Sequence, residues 1–237
     1  MQKRLLRTGG RGVLIGSSLI LIIMAMLFMN VSAVFAADEV EAQGIVDKSR
    51  VTFSGFMRDK NYTWLQDNLK NAKGVIIYPQ VLKAGFFLGG SGGTGVLLVK
   101  DKTSGTWSQP AFYTMGSVTF GFQAGGEAAE VIMLVMSQKA IDSLYASSVK
   151  LGGDTSIALG PVGAGATGNV TADFISFAKS KGLYAGLNLQ GSVLAVREKL
   201  NNAYYHKAVS PVGIIVEKKA SNKGASRLRS VVEKAAK

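Results

Sequence analysis

Apolar positions change their period once along this chain, near Lys73. Before it, from Asp38 to about Lys60, Ala42, Val46, Ser49, Phe53 and Phe56 or Met57 recur every three to four residues. Glu41, Asp47, Lys48, Arg50 and Asp59 fall between them. That spacing predicts an amphipathic helix resting on a core, and equally suits a helix that dips into a bilayer. Asn61 is placed to cap a second, short helix over Tyr62 to Asn71, with Trp64, Leu65 and Leu69 on one side.

After Lys73 the pattern becomes short β-branched and aromatic runs broken by turn residues. Strands are expected near Gly74–Tyr78, Gly85–Leu88, Gly95–Lys100, Thr106–Tyr113, Ser117–Gln123 and Val131–Met136. Asp101 to Gly105 reads as a hairpin loop. Ser137 caps a short helix reaching Ala146, with Ile141, Leu144 and Tyr145 facing inward. Further strands are expected near Thr155–Leu159, Gly165–Thr171 and Tyr184–Leu189, then a helix over Arg197 to Tyr205 and a last strand over Val212–Val216. Glycine recurs without a fixed period, which argues against a solenoid or propeller. The pattern as a whole predicts the α+β class: an antiparallel barrel-like or sandwich β core with N-terminal helices and short flanking helices.

One segment stands apart. Lys83 to Val96 holds six glycines, two adjacent phenylalanines and one lysine, with no acid and no histidine. Such a stretch can turn sharply and bring backbone N–H groups close to a ligand, but it offers almost no proton-transfer chemistry. It points to binding.

Composition narrows the field. Apolar residues make up 47% and charged residues 18%, which suits a folded domain. Cysteine is absent, so disulfides, thiolate metal sites, cysteine nucleophiles and lipidated cysteine are excluded. The net charge of +12 is uneven. Residues 1–36 carry Lys3, Arg4, Arg7 and Arg11 and no acid, followed by an uncharged apolar run. With Val34 and Ala36 as small residues before Ala37, this reads as a signal peptide; its length also suits an uncleaved membrane anchor. Either reading carries the remainder out of the cytoplasm, to a periplasmic, secreted or inner-membrane-anchored location. Residues 37–216 then form the folded domain. Residues 217–237, with seven basic and two acidic side chains, read as a basic tail that attracts polyanions.

Catalytic patterns are weak. Gly90-x-Gly92-x-x-Gly95 fits a dinucleotide fingerprint, but a strand follows it instead of a helix. Gly89-x-Ser91-x-Gly93 fits a nucleophile elbow, with His206 the single possible histidine base, again without the strand–turn–helix context. Ser176 and Lys179 have serine–lysine spacing without its companion motifs. The acids are scattered, Asp154 suits a turn, and no metal or other cofactor is called for. The basic tail lacks the interleaved aromatics that nucleic-acid binding needs, so no nucleic-acid partner is expected.

Between Asn68 and His206 an ordered set of short motifs resembles the SYLF domain family. In order these are Ala72-Lys-Gly74, Lys83-Ala-Gly-Phe86, Gly89-Gly90 and Gly93-x-Gly95-Val96, Trp107 with Pro110, and Gly121-Phe-Gln123-Ala-Gly125. Leu151-Gly-Gly-Asp154, Gly160-Pro161-Val162-Gly163, Ser180-Lys181-Gly182-Leu183-Tyr184, Gly191-Ser192 and Tyr204-Tyr205 complete the set. The resemblance implies a non-enzymatic domain that binds anionic membrane lipids, with phosphoinositides as ligands of eukaryotic members and actin as a partner of some. Departures include Thr119 for a usual serine, Glu130 for aspartate, Gln190 for glutamate, and Phe177-Ala178-Lys179 for a tyrosine–serine–arginine run. On this reading Lys83, Lys179 and Lys181 meet an anionic headgroup, Phe86 and Phe87 wedge into the acyl boundary, and Gly89, Gly90, Gly93 and Gly95 let the backbone approach. The alternative is a cell-envelope interaction protein whose basic tail grips an anionic polymer; the protein partner is not named by the sequence.

Overall fold

The computed structural model describes residues 37–85, 88–120, 125–153, 155–180 and 189–237. The expected export segment, residues 1–36, lies outside them. Among the described residues no helix is long and apolar enough to cross a membrane.

Helix α1 runs over residues 37–58, and its stripe of Ala42, Val46, Phe53 and Phe56 is buried as the period requires. Asp59 then accepts a hydrogen bond from the Asn61 N–H and caps a single 3-10 turn that leads into α2 (Thr63–Asn68). The cap is thus Asp59, not Asn61.

The β core is one curled, half-barrel-like sheet of eight strands. These are β1 (Gly74–Gly85), β2 (Leu88–Val99), β3 (Ala111–Phe120), β4 (Gly125–Val135), β5 (Ser148–Lys150), β6 (Ile157–Leu159), β7 (Phe174–Ser180) and β8 (Val193–Val196). They are ordered β5-β8-β3-β2-β1-β4-β7-β6, antiparallel except for the β6–β7 pair. The α+β class and barrel-like curl agree with the sequence; a two-sheet sandwich is not formed. Short helices α3 (Gln138–Ser143), α4 (Glu198–Tyr205), α5 (Pro211–Ile215) and α6 (Ser226–Ala235) complete the chain.

Both faces of the proximal half of the sheet are covered. On face A, Phe177 of β7 meets the rings of Tyr62 and Trp64, and Phe112 of β3 meets Tyr204 of α4. On face B, Tyr113 donates to the Leu144 carbonyl just after α3 at 2.5 Å. With helices on both sides, β1, β2 and β4 read as near-continuous apolar runs there, such as Val131–Val135, all buried.

Three expectations are corrected. Strand β1 does not stop at Tyr78; it passes through Pro79 and Gln80 in a bulge, where the register with both neighbours shifts. A proline that cannot donate is tolerated at such a point. Residues 165–171 form no strand, and β7 falls just after them. Val212–Val216 is not a strand either, because Ser210 caps α5 with its hydroxyl and Pro211 occupies the first turn. The expected strand at Tyr184–Leu189 lies almost wholly outside the described residues.

The basic segment 217–237 is also packed rather than tail-like. Leu228 and Val232 of α6 are buried, as are Ala225 and Ala236. Arg229 donates twice to the Trp107 carbonyl, at 2.9 and 2.7 Å.

Candidate functional site

Beyond the β1 bulge the sheet has a polarity opposite to that of a solvated surface. Directly paired residues in neighbouring strands project to the same face, and positions alternate along each strand. Leu82 pairs with Gly92, and Gly92 with Gly116; Gly90 pairs with Val118. These positions share face A with Val96 and Phe112 farther along the same strands. Leu82 is 55% exposed and Val118 69% exposed. Between them β2 contributes only Gly90 and Gly92, leaving a shallow trough with a bare backbone floor. Face B of the same strands is polar: Lys83 pairs with Ser91 and Ser91 with Ser117, and the two hydroxyls lie 2.7 Å apart.

The glycines proposed to cradle a ligand therefore sit in a strand. Gly89, Gly90, Gly93 and Gly95 all belong to β2, flanked by β1 and β3, so the sharp turn such a segment allows is not made at these four positions. Gly93 and Gly95 are required by close packing. A Cβ at 93 would lie 2.3 Å from the Gln80 carbonyl oxygen, and one at 95 would lie 2.2 Å from that of Ile77. Phe86, Phe87 and Lys181 lie outside the described residues, as does Asp154.

The two described lysines of the expected site do not meet. Lys83 is paired in register with position 127 of β4 and Lys179 of β7 with position 130. Three positions apart along one strand means opposite faces, with Lys83 on B and Lys179 on A. On face A, Lys179 lines a pocket of about 580 Å³ between α1 and the bulge, with Asp47, Lys48, Arg50, Val51, Gln80 and Glu130. Ala128 borders both this pocket and Leu82, with which it pairs. Arg50 Nε is buried without a hydrogen-bond partner among the described residues, while Glu130 is satisfied by the Thr52 hydroxyl at 2.5 Å. Neither Lys48, Arg50, Leu82 nor Val118 was selected from the sequence. For Leu82 and Val118 the signal was alternation, hidden because glycine fills most of face A here and carries no polarity; Lys48 and Arg50 read as ordinary polar positions of α1.

Lys179 is held by Asp59, Nζ to Oδ2 at 2.9 Å. The lysine and then the Asn61 N–H hold the Asp59 carboxyl below its ordinary range. A depressed folded-state pKa contributes stability that is present above the unfolded value, about 3.9, and lost as pH falls through the folded one. Asp59→Asn should therefore cost about 1 kcal/mol at pH 7, with the gap narrowing below pH 4. Urea unfolding at pH 7 and pH 3 measures it; an equal gap at both would contradict the ion pair.

The catalytic patterns are not assembled. Ser91 faces Ser117 across a ladder, whereas His206 ends α4 and approaches Glu39 of α1 at 3.4 Å. Ser176 and Lys179 are three apart in a strand and point to opposite faces; Ser176 donates to the Ala158 carbonyl at 3.3 Å. The fingerprint glycines at 90, 92 and 95 lie inside β2. Among the described residues no cluster of three His or acidic side chains could hold a metal.

Comparison with known proteins places this architecture. Residues 116–235 match the Ysc84 family, described as Las17-binding protein actin regulator. The chain belongs to the Ysc84, or SYLF, family. The match runs into α6 and so covers most of the segment read from sequence as a tail.

SYLF relatives are similar at moderate identity. An SH3 domain-containing protein of Schizosaccharomyces pombe is 40% identical over 144 residues, 58% of this chain and 33% of that protein. Protein YSC84 of Saccharomyces cerevisiae is 37% identical over 58% of this chain and 30% of its own length. The SH3 domain-containing YSC84-like protein 1 of Bos taurus is 31% identical over 62% of this chain and 44% of its own. The chain thus spans less than half the length of these relatives. The matched family is described as a Las17-binding protein actin regulator, and LAS seventeen-binding protein 3 of Saccharomyces cerevisiae is 36% identical over 59% of this chain and 31% of its own length.

Proposed function

We propose that this SYLF domain is a non-enzymatic binder of anionic membrane lipids, acting outside the cytoplasm. The Leu82–Val118 trough enters the acyl boundary, and the pocket of Lys48, Arg50 and Lys179 receives the headgroup phosphate. One observation carries this reading: two large apolar side chains are exposed on the same sheet face as a pocket bordered by Lys48, Arg50 and Lys179, in which Arg50 Nε lacks a hydrogen-bond partner among the described residues. Exposed apolar residues beside basic ones suit an interface whose one half is hydrocarbon and whose other half is phosphate. Phe86, Phe87 and Lys181 remain proposed contributors from the adjoining strand ends, and Lys83, on face B, contributes to the surface charge rather than to the pocket.

Sedimentation with vesicles tests it. The full chain should bind phosphatidylglycerol vesicles, bind phosphatidylcholine weakly, and lose affinity as salt rises. Each basic residue near an anionic surface is worth about 1 kcal/mol. Lys48→Gln with Arg50→Gln should therefore weaken binding roughly thirtyfold. Equal binding to both lipids would contradict the reading. The family description, a Las17-binding protein, favours a second one, in which the same face of this chain docks a protein; binding to a purified protein partner but to no vesicle would select it.

A further inference from the structure

The opposite end of the sheet holds a second basic pocket. It measures about 500 Å³ and lies where the β2–β3 loop meets α3, α5 and the segment leading into α6. Its walls divide by chemistry. Trp107, Ile141, Tyr145 and Ile214 form an apolar side, and Lys73, Lys100, Lys102, Lys218 and Arg229 a cationic one. Asp101 is the acid among the lining residues, and it is already occupied. Lys218 reaches it at 2.8 Å, and the N–H groups of Thr103 and Ser104 both donate to it at 2.9 Å. Lys73, Lys100 and Lys102 have no acidic partner among the described residues, and the Lys100 ammonium donates to the Lys70 carbonyl at 3.2 Å.

Three cations left without counter-charge around an apolar wall constitute a recognition pattern for an anion with a hydrocarbon body. The volume is that of a small-molecule site. Trp107 adds a further group: its indole is buried and Nε1 has no hydrogen-bond acceptor among the described residues. Arg229, anchored through Nε and Nη2 to the Trp107 carbonyl, fixes the α6 side of the pocket. Eight strand positions separate Gly74 from Leu82, so the pocket lies roughly 25 Å from the trough and cannot share its ligand.

We propose that this pocket binds a small soluble organic anion, a phosphate or carboxylate carried on a short alkyl or aryl body, independently of the membrane face. Calorimetry on the full chain with three probes tests it: hexyl phosphate, hexanol and inorganic phosphate. Hexyl phosphate should bind once per chain, at least tenfold more tightly than either of the others. Lys73→Gln with Lys100→Gln should weaken it at least fivefold without altering the thermal midpoint, and Lys150→Gln with Lys199→Gln should leave it unchanged. No saturable binding, equal affinity for inorganic phosphate, or undiminished affinity in the pocket double variant would overturn the proposal. A vesicle arm separates a free ligand from a lipid headgroup. The pocket variant should sediment with phosphatidylglycerol vesicles as the parent does, and loss of that binding would overturn the soluble-ligand assignment.

Discussion

Gly95→Ala is expected to lower the folding stability by at least about 3 kcal/mol. The added methyl would stand 2.2 Å from the Ile77 carbonyl oxygen and 2.6 Å from the Tyr78 ring. Neither neighbour can retreat. Ile77 and Tyr78 belong to β1, which is clamped between β2 and β4, and both are fully buried. Relief therefore requires separating β1 from β2 at the centre of the sheet. For a domain of about 200 residues this is a fall of roughly 6–12 °C in thermal midpoint. Gly116→Ala is the internal control: it lies on the neighbouring strand, and a Cβ there meets nothing within 4 Å. A differential scanning measurement should find that variant within about 0.5 kcal/mol of the parent. Equal effects at the two positions would remove close strand packing as the reason for glycine.

The second large effect is functional. Leu82→Asp combined with Val118→Asp should abolish vesicle binding while leaving the fold intact. Full burial of a leucine or valine is worth about 2 kcal/mol each. Side chains immersed only at the acyl boundary realise about half of that, and the two carboxylates add repulsion from an anionic surface. A loss of at least about thirtyfold follows. Because both side chains are mostly exposed in the protein, the urea midpoint should hardly move. Flotation with phosphatidylglycerol vesicles reads the outcome, and a variant that floats like the parent would remove the trough from the site.

Period-3.6 spacing found α1 and its buried stripe, because Phe53 and Phe56 had nowhere else to go. Period-2 runs found the central strands, though not their ends. The first strand was expected to end at Tyr78, yet β1 continues through Pro79, where the bulge makes the missing N–H harmless. The glycines of β2 looked like a loop because they lack the side chains that mark a strand, while Gly93 and Gly95 let β1 press close. In the C-terminal segment, Leu228 and Val232 form an apolar pair four residues apart, but seven surrounding cations masked it. Ser210-Pro211 outweighed a β-branched run for a local reason, a hydroxyl cap and a fixed φ.

The site was legible only in outline. The β scaffold and the unusual glycine-rich segment from Lys83 to Val96 could be read from residue types. Which lysines share a face could not, because that depends on the pairing of β1, β4 and β7 and on the one-residue bulge between them. A slip of one residue exchanges the faces entirely, and the bulge performs such a slip, turning Leu82 outward on face A and Lys83 onto face B.

That facing is the central claim, and it is directly measurable. The chain has no cysteine, so single substitutions Val118→Cys and Ser117→Cys can each carry one environment-sensitive NBD fluorophore. On phosphatidylglycerol vesicles the label at 118 should shift to the blue and brighten, as on entering hydrocarbon, while the label one residue away should stay near its value in buffer. Matching responses at the two positions, or a larger response at 117, would contradict the account.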